Sequence, residues 1–172
     1  EGSRLKSTTD RQGRTQDYFY NAKGQLEEIR SGVAVLDRIT YDTAGRMVSW
    51  KTPDTEVTWS QFDQEGRPKR TTQKRFKNGT GLTSQELLDE FEQQHAYNEH
   101  GERTFASMPA YAGLTFGAGW TKGIAEQHDA MGNVTSISRA DAPNASGALV
   151  MTATYRNTGR PDSRTINTAG GS

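Results

Sequence analysis

The chain has 172 residues, with 21 Lys and Arg balanced by 21 Asp and Glu, and no cysteine. The balance speaks against a nucleic-acid binder, which carries a basic surplus, and the missing thiols exclude disulfide staples, thiolate metal sites and cysteine nucleophiles. Val, Ile, Leu and Phe supply only 25 residues and glycine supplies 18, a mixture that favours hairpins with well-defined turns over a thick core. No apolar run approaches the roughly 20 residues needed to cross a bilayer as a helix, and the opening EGSRLKS is not a signal peptide.

Taken in chain order, one short pattern returns. TDRQGRT ends its turn at Gly13, YNAKGQL at Gly24, YDTAGRM at Gly45 and FDQEGRP at Gly66. YNEHGER follows at Gly101, HDAMGNV at Gly132 and YRNTGRP at Gly159. Four residues before the glycine stands an aromatic, except Thr9. Three before it stands Asp or Asn, except Arg156. These are the residues of a type I turn, which takes Asx first and Gly fourth. The Asx side chain accepts a backbone hydrogen bond two residues on, and the glycine enters the left-handed region without strain. A type I turn followed by such a glycine closes a three-residue hairpin loop with a G1 bulge.

Asp42-Thr43-Ala44-Gly45 therefore predicts a hairpin in which Asp42 faces Arg46 and Tyr41 faces Met47. Ile39, Tyr41 and Met47 are expected on one face, with Thr40 and Val48 on the other. The turn residues to watch are Asp10, Gly13, Asn21, Gly24, Tyr41, Asp42, Gly45, Arg46, Asp63, Gly66, Tyr97, Asn98, Gly101, Asp129, Gly132 and Gly159.

Two stretches break the pattern. After Gly66 comes a basic cluster of Arg67, Lys69, Arg70, Lys74, Arg75 and Lys77, read as a charged strand edge that discourages edge-to-edge pairing. TSQELLDEFEQQHAY follows. Thr83 and Glu86 fit a capping box, and Leu87, Leu88 and Phe91 form one stripe at helical spacing. The expectation is a short amphipathic helix over residues 83–94 that covers the sheet. The second stretch, SMPAYAGLTFGAGWTKGIAEQH, is glycine-rich and suits a crossover between hairpins. RADAPNASGALV reads as a surface loop. The expected fold is all-β: stacked antiparallel hairpins in a curved sheet, one domain over 1–172, with a helical insertion at about 77–96.

YDTAGRM, FDQEGRP, YNAKGQL and HDAMGNV resemble the tyrosine-aspartate (YD) repeats of Rhs proteins, of the C components of insecticidal toxin complexes and of teneurins. The resemblance runs from about Thr9 to Pro161. It implies strands that wind into a hollow shell around a C-terminal toxin, and this chain is much shorter than a complete shell. The closing INTAGGS is not the DPxGxxGG-like self-cleavage signature of that family. The implied role is structural, as a segment of an encapsulating shell in an exported bacterial polypeptide. Its partners would be the remainder of the shell and an enclosed toxin, with self-association through strand edges and neither nucleic acid nor membrane insertion.

Motifs for chemistry are missing. There is no G-x-S-x-G, Walker A or H-E-x-x-H. His95 and His100 lie five apart rather than the four of a helical metal site, and His128 occupies an aromatic slot. No catalytic, cofactor or metal residue is named, and no enzyme activity or cofactor is expected. The rival reading is a carbohydrate- or surface-binding module in which Trp50, Trp59 and Trp120 stack on a ligand.

Overall fold

The computed structural model describes residues 4–77, 82, 85–111, 123–140 and 147–167. Two compact units divide the chain, one ending at Phe91 and the other beginning at Glu92.

The first unit is a run of antiparallel hairpins: β1 (Ser7–Thr9), β2 (Thr15–Tyr20), β3 (Leu26–Ser31), β4 (Ala34–Tyr41), β5 (Met47–Lys51), β6 (Thr55–Phe62) and β7 (Pro68–Lys77). The first half of β8 (Glu86–Tyr97) completes it. Each strand pairs with its sequence neighbours. Tyr41 stands opposite Met47 as the turn chemistry requires, but the register shifts between Thr40 and Tyr41, so that Ser49 rather than Val48 faces Thr40. A bulge there inserts one extra residue and raises the local twist. Like shifts precede Tyr20, Tyr97, His128 and Tyr155. They recur because each three-residue loop returns the chain one residue out of step with the ladder.

Among the described residues of this unit only Glu28 and Leu82 are buried. Pairing in register sets Glu28, Arg38, Lys51, Glu56 and Lys74 side by side on one face. Three of the four cross-strand neighbours in this row are of opposite sign and mutually favourable, while Arg38 and Lys51 are alike and oppose each other. On the other face Ile39, Trp50 and Val57 form a cross-strand row.

The second unit contains the rest of β8, then β9 (Arg103–Ser107), β10 (Ala110–Tyr111), β11 (Gly123–His128), β12 (Val134–Ala140), β13 (Leu149–Tyr155) and β14 (Pro161–Ile166). Its strand order is β8-β9-β11-β12-β13-β14, with β10 pairing β8 off that path. Among the described residues the core is small: Gln94, Phe105, Ala106, Ser107, Gly123, Ala140 and Ala153. The Ser107 hydroxyl accepts the Gln94 backbone N–H at 2.7 Å.

The helix expected over residues 83–94 is not formed. Residues 86–97 are strand β8, and no helix occurs among the described residues. Thr83, the expected cap, lies outside them, as does Trp120. Adjacent Leu87 and Leu88 point to opposite faces of a strand and are 50% and 56% exposed, so the apolar stripe does not exist. The competing force is charge. Strand β7 carries the basic cluster and β8 the acids. Lys74 reaches Glu90 at 3.9 Å, Arg75 pairs with Asp89, and Lys77 reaches Glu86 at 3.5 Å. Arg75 also lies 5.6 Å from the centre of the Phe91 ring. Neighbouring strands bring these opposite charges together, an arrangement a lone helix would forgo.

Candidate functional site

The structure holds its most regular chemistry in the turns. In each, the glycine N–H donates to the carbonyl three residues back, from Gly13 to Asp10 at 3.0 Å through Gly159 to Arg156 at 2.8 Å. The Asx N–H donates to the carbonyl of the residue after the glycine, as Asp42 to Arg46 at 2.9 Å. That residue returns its own N–H to the Asx Oδ1. The distances are 2.9 Å from Arg14 to Asp10, 3.0 Å from Gln25 to Asn21, 2.9 Å from Arg46 to Asp42, 2.8 Å from Arg67 to Asp63, 2.9 Å from Glu102 to Asn98 and 3.0 Å from Asn133 to Asp129. Gly45 has φ 85°, and Gly24, Gly66, Gly101 and Gly132 lie within a few degrees of it.

Where the pair is Asp and Arg, the guanidinium closes the ring. Arg46 Nε meets Asp42 Oδ2 at 2.7 Å, Arg67 meets Asp63 at 2.6 Å and Arg14 meets Asp10 at 2.7 Å. The backbone N–H of Arg46, and then its guanidinium, hold the Asp42 carboxyl below the ordinary aspartate value. Arg14 does the same for Asp10, and the Asn133 side chain and N–H do so for Asp129. At Asp63 burial opposes ionisation, but the hydrogen bonds from Arg67 outweigh it.

Contacts between successive hairpins escape a reading of single motifs. The Tyr41 hydroxyl donates to the Leu26 carbonyl at 2.8 Å, Tyr20 to Leu5 at 2.9 Å and Tyr155 to Val134 at 3.0 Å. Leu26 and Val134 each stand two residues past the glycine of the preceding hairpin, so the tyrosine fastens one hairpin to the last. The residue after a glycine also leans over the next one. Gln25 Nε2 donates to the Gly45 carbonyl at 2.8 Å. Arg46 Cδ would lie 3.3 Å from a Cβ on Gly66, and Glu102 Oε1 2.9 Å from one on Gly132. The regular step of 21 residues between Gly24, Gly45 and Gly66 is the signal that could have exposed this stacking.

The basic strand β7, expected as a charged sheet edge, is instead paired on both sides, by β6 and β8. The basic cluster is engaged by β8 acids and by Asp63 and Glu65. Glu28 is buried between Arg30 at 2.8 Å and Arg38 at 3.3 Å. The Arg30 hydrogen bond keeps its carboxyl low against the opposing effect of burial. His95 is pushed down by burial and then by Arg103, and His100 sits in the Asn98 turn. Trp50 donates to Asp37 at 2.7 Å, within the Ile39–Trp50–Val57 row. Among the described residues no group of three or more His, Asp or Glu is gathered to hold a metal ion.

No family model and no curated protein matches the chain. Solved structures do. The crystal structure of TcdB2-TccC3 matches with a TM-score of 0.74 at 11% identity, over 94% of this chain and 9% of that one. The crystal structure of TcdB2-TccC3-Cdc42 gives 0.71 at 10%, over 91% and 8%. The form without the hypervariable C-terminal region gives 0.70 at 11%, again over 91% and 8%. The chain thus spans less than a tenth of the chains it matches, and what it shares with that stretch of the TcdB2-TccC3 structures is the fold, a stack of antiparallel hairpins.

Proposed function

We propose that the chain is one consecutive piece of a YD-repeat wall, an array of hairpins whose role is to enclose a toxic or partly unfolded polypeptide until delivery. The observation that carries this reading is the match of 94% of the chain to a small part of a much longer chain in the TcdB2-TccC3 structure, together with turns that stack by repeated contacts. In this reading the turn residues are the working parts. Asp42, Arg46 and Gly45 build one joint and their counterparts build the others, and no side chain acts on a substrate. The partners are the flanking wall and the enclosed cargo, in a polypeptide exported by a bacterium, and unpaired strand edges supply any self-association.

Protection of cargo tests it. The polypeptide carrying this segment is compared with its Gly45→Pro form, which loses both the positive φ and the N–H that Gly45 donates to Asp42 at 3.0 Å. Added protease should spare the enclosed portion in the first and digest it in the second. Equal digestion of both from the outset would overturn the enclosing role.

A further inference from the structure

A sheet with so few buried residues has a register problem. Register is strongly specified where one face is buried and only weakly where both faces are polar. In the first unit only Glu28 and Leu82 are buried among the described residues, so hydrophobic burial cannot forbid a slip. Something else must decide which hairpin follows which.

We propose that at the Gly45 and Gly101 turns the residue after the glycine is a specificity determinant: it selects the ring in the aromatic slot of the next hairpin. The joints differ in chemistry in a matched way. Arg46 lies over the Phe62 ring at 4.3 Å from its centre. A cation is attracted to the negative face of a carbon ring. A carboxylate in the same place would be repelled by it. The joint that does carry a carboxylate, Glu102, meets a nitrogen-bearing ring instead: His128 Nδ1 lies 3.9 Å from Glu102 Oε2, with the imidazole side chain only 7% exposed. Gln25 spends its amide on the Gly45 carbonyl, beneath a slot held by Tyr41. The short Asn133 is held by Asp129, and Met131 approaches the Gly159 position. Cation with carbon ring, carboxylate with imidazole: the pairing restricts which neighbours fit. This depends on the contacts alone and stands whether or not the wall encloses a cargo.

Swapping the chemistry tests it on the chain itself. Glu102→Arg, His128→Phe and the double variant would be compared by denaturant unfolding, with amide exchange at Gly132 as the local readout. Loss of the Asn98 hydrogen bond to Glu102 (2.5 Å) is common to Glu102→Arg and the double variant and cancels in the cycle. The double variant should be about threefold or more better folded than the two singles predict together, with exchange at Gly132 slowed to match. A second cycle uses gentler changes, Arg46→Gln with Phe62→Leu, and guards against a variant that fails to fold. Here too the double variant should lose less than the sum of the singles. Additive cycles at both joints would overturn the proposal.

Discussion

Replacing Gly45 with alanine probes the turn at its centre. The residue has φ 85°, where an L-side chain costs roughly 1–2 kcal/mol. An added Cβ would lie 3.4 Å from Gln25 Nε2, an ordinary contact, so the backbone carries nearly the whole loss. Gly45→Ala should therefore destabilise the first unit by about 1–2 kcal/mol. Gly45→Asn should lose appreciably less, because asparagine tolerates the left-handed region. Gly13→Ala supplies the comparison without neighbours: its φ is 79° and nothing lies within 4 Å of the added atom. Urea unfolding followed by tryptophan fluorescence measures all three, with Trp50 and Trp59 as reporters inside the unit. If Gly45→Ala is neutral, or if alanine and asparagine are equally harmful, the left-handed turn is not what holds the hairpin.

Tyr41→Phe removes only the hydroxyl that reaches Leu26 at 2.8 Å and should cost about 0.5–1.5 kcal/mol. Amide exchange should quicken in β3 and β4 together, whereas an unchanged pattern would deny the fastening role. Acid acts on the turn aspartates. The folded values of Asp10, Asp42 and Asp129 lie below the ordinary 3.8. Their contribution is therefore complete above that value and lost as pH falls through the folded ones. Urea midpoints should drop between pH 5 and pH 2.5. Asp42→Asn should shrink that drop, as asparagine already serves in the Asn21 and Asn98 turns. Arg75→Asp should weaken the β7–β8 hairpin and Asp89→Arg should restore part of it; if the double reversal is no better than the single, the charge pairing does not hold β8 in place.

The turns were legible because their chemistry is local. Asx, glycine and the residue after it meet within five positions, so spacing alone located Gly45 and its relatives. The β8 error arose because helical spacing in Leu87, Leu88 and Phe91 is also local, while the force that wins lies across a hairpin. Its trace was present: Lys74, Arg75 and Lys77 ascend as Glu90, Asp89 and Glu86 descend, the order of antiparallel partners. The bulge before Tyr41 was half visible, since the G1 loop was foreseen but not its effect on Val48. The fastening by Tyr20, Tyr41 and Tyr155 was hidden, because each hydroxyl bonds a carbonyl 15 to 21 residues away and a carbonyl has no sequence signature.

The scarcity of buried side chains among the described residues has a thermal consequence. The heat capacity of unfolding grows with the apolar surface exposed and is reduced by polar surface. A structure held by turn hydrogen bonds, ion pairs and phenol contacts exposes little apolar surface when it opens. Its heat-capacity increment per residue should fall below the usual ~12–15 cal/mol/K. Its stability should then vary only gently with temperature, with cold inactivation displaced far below freezing.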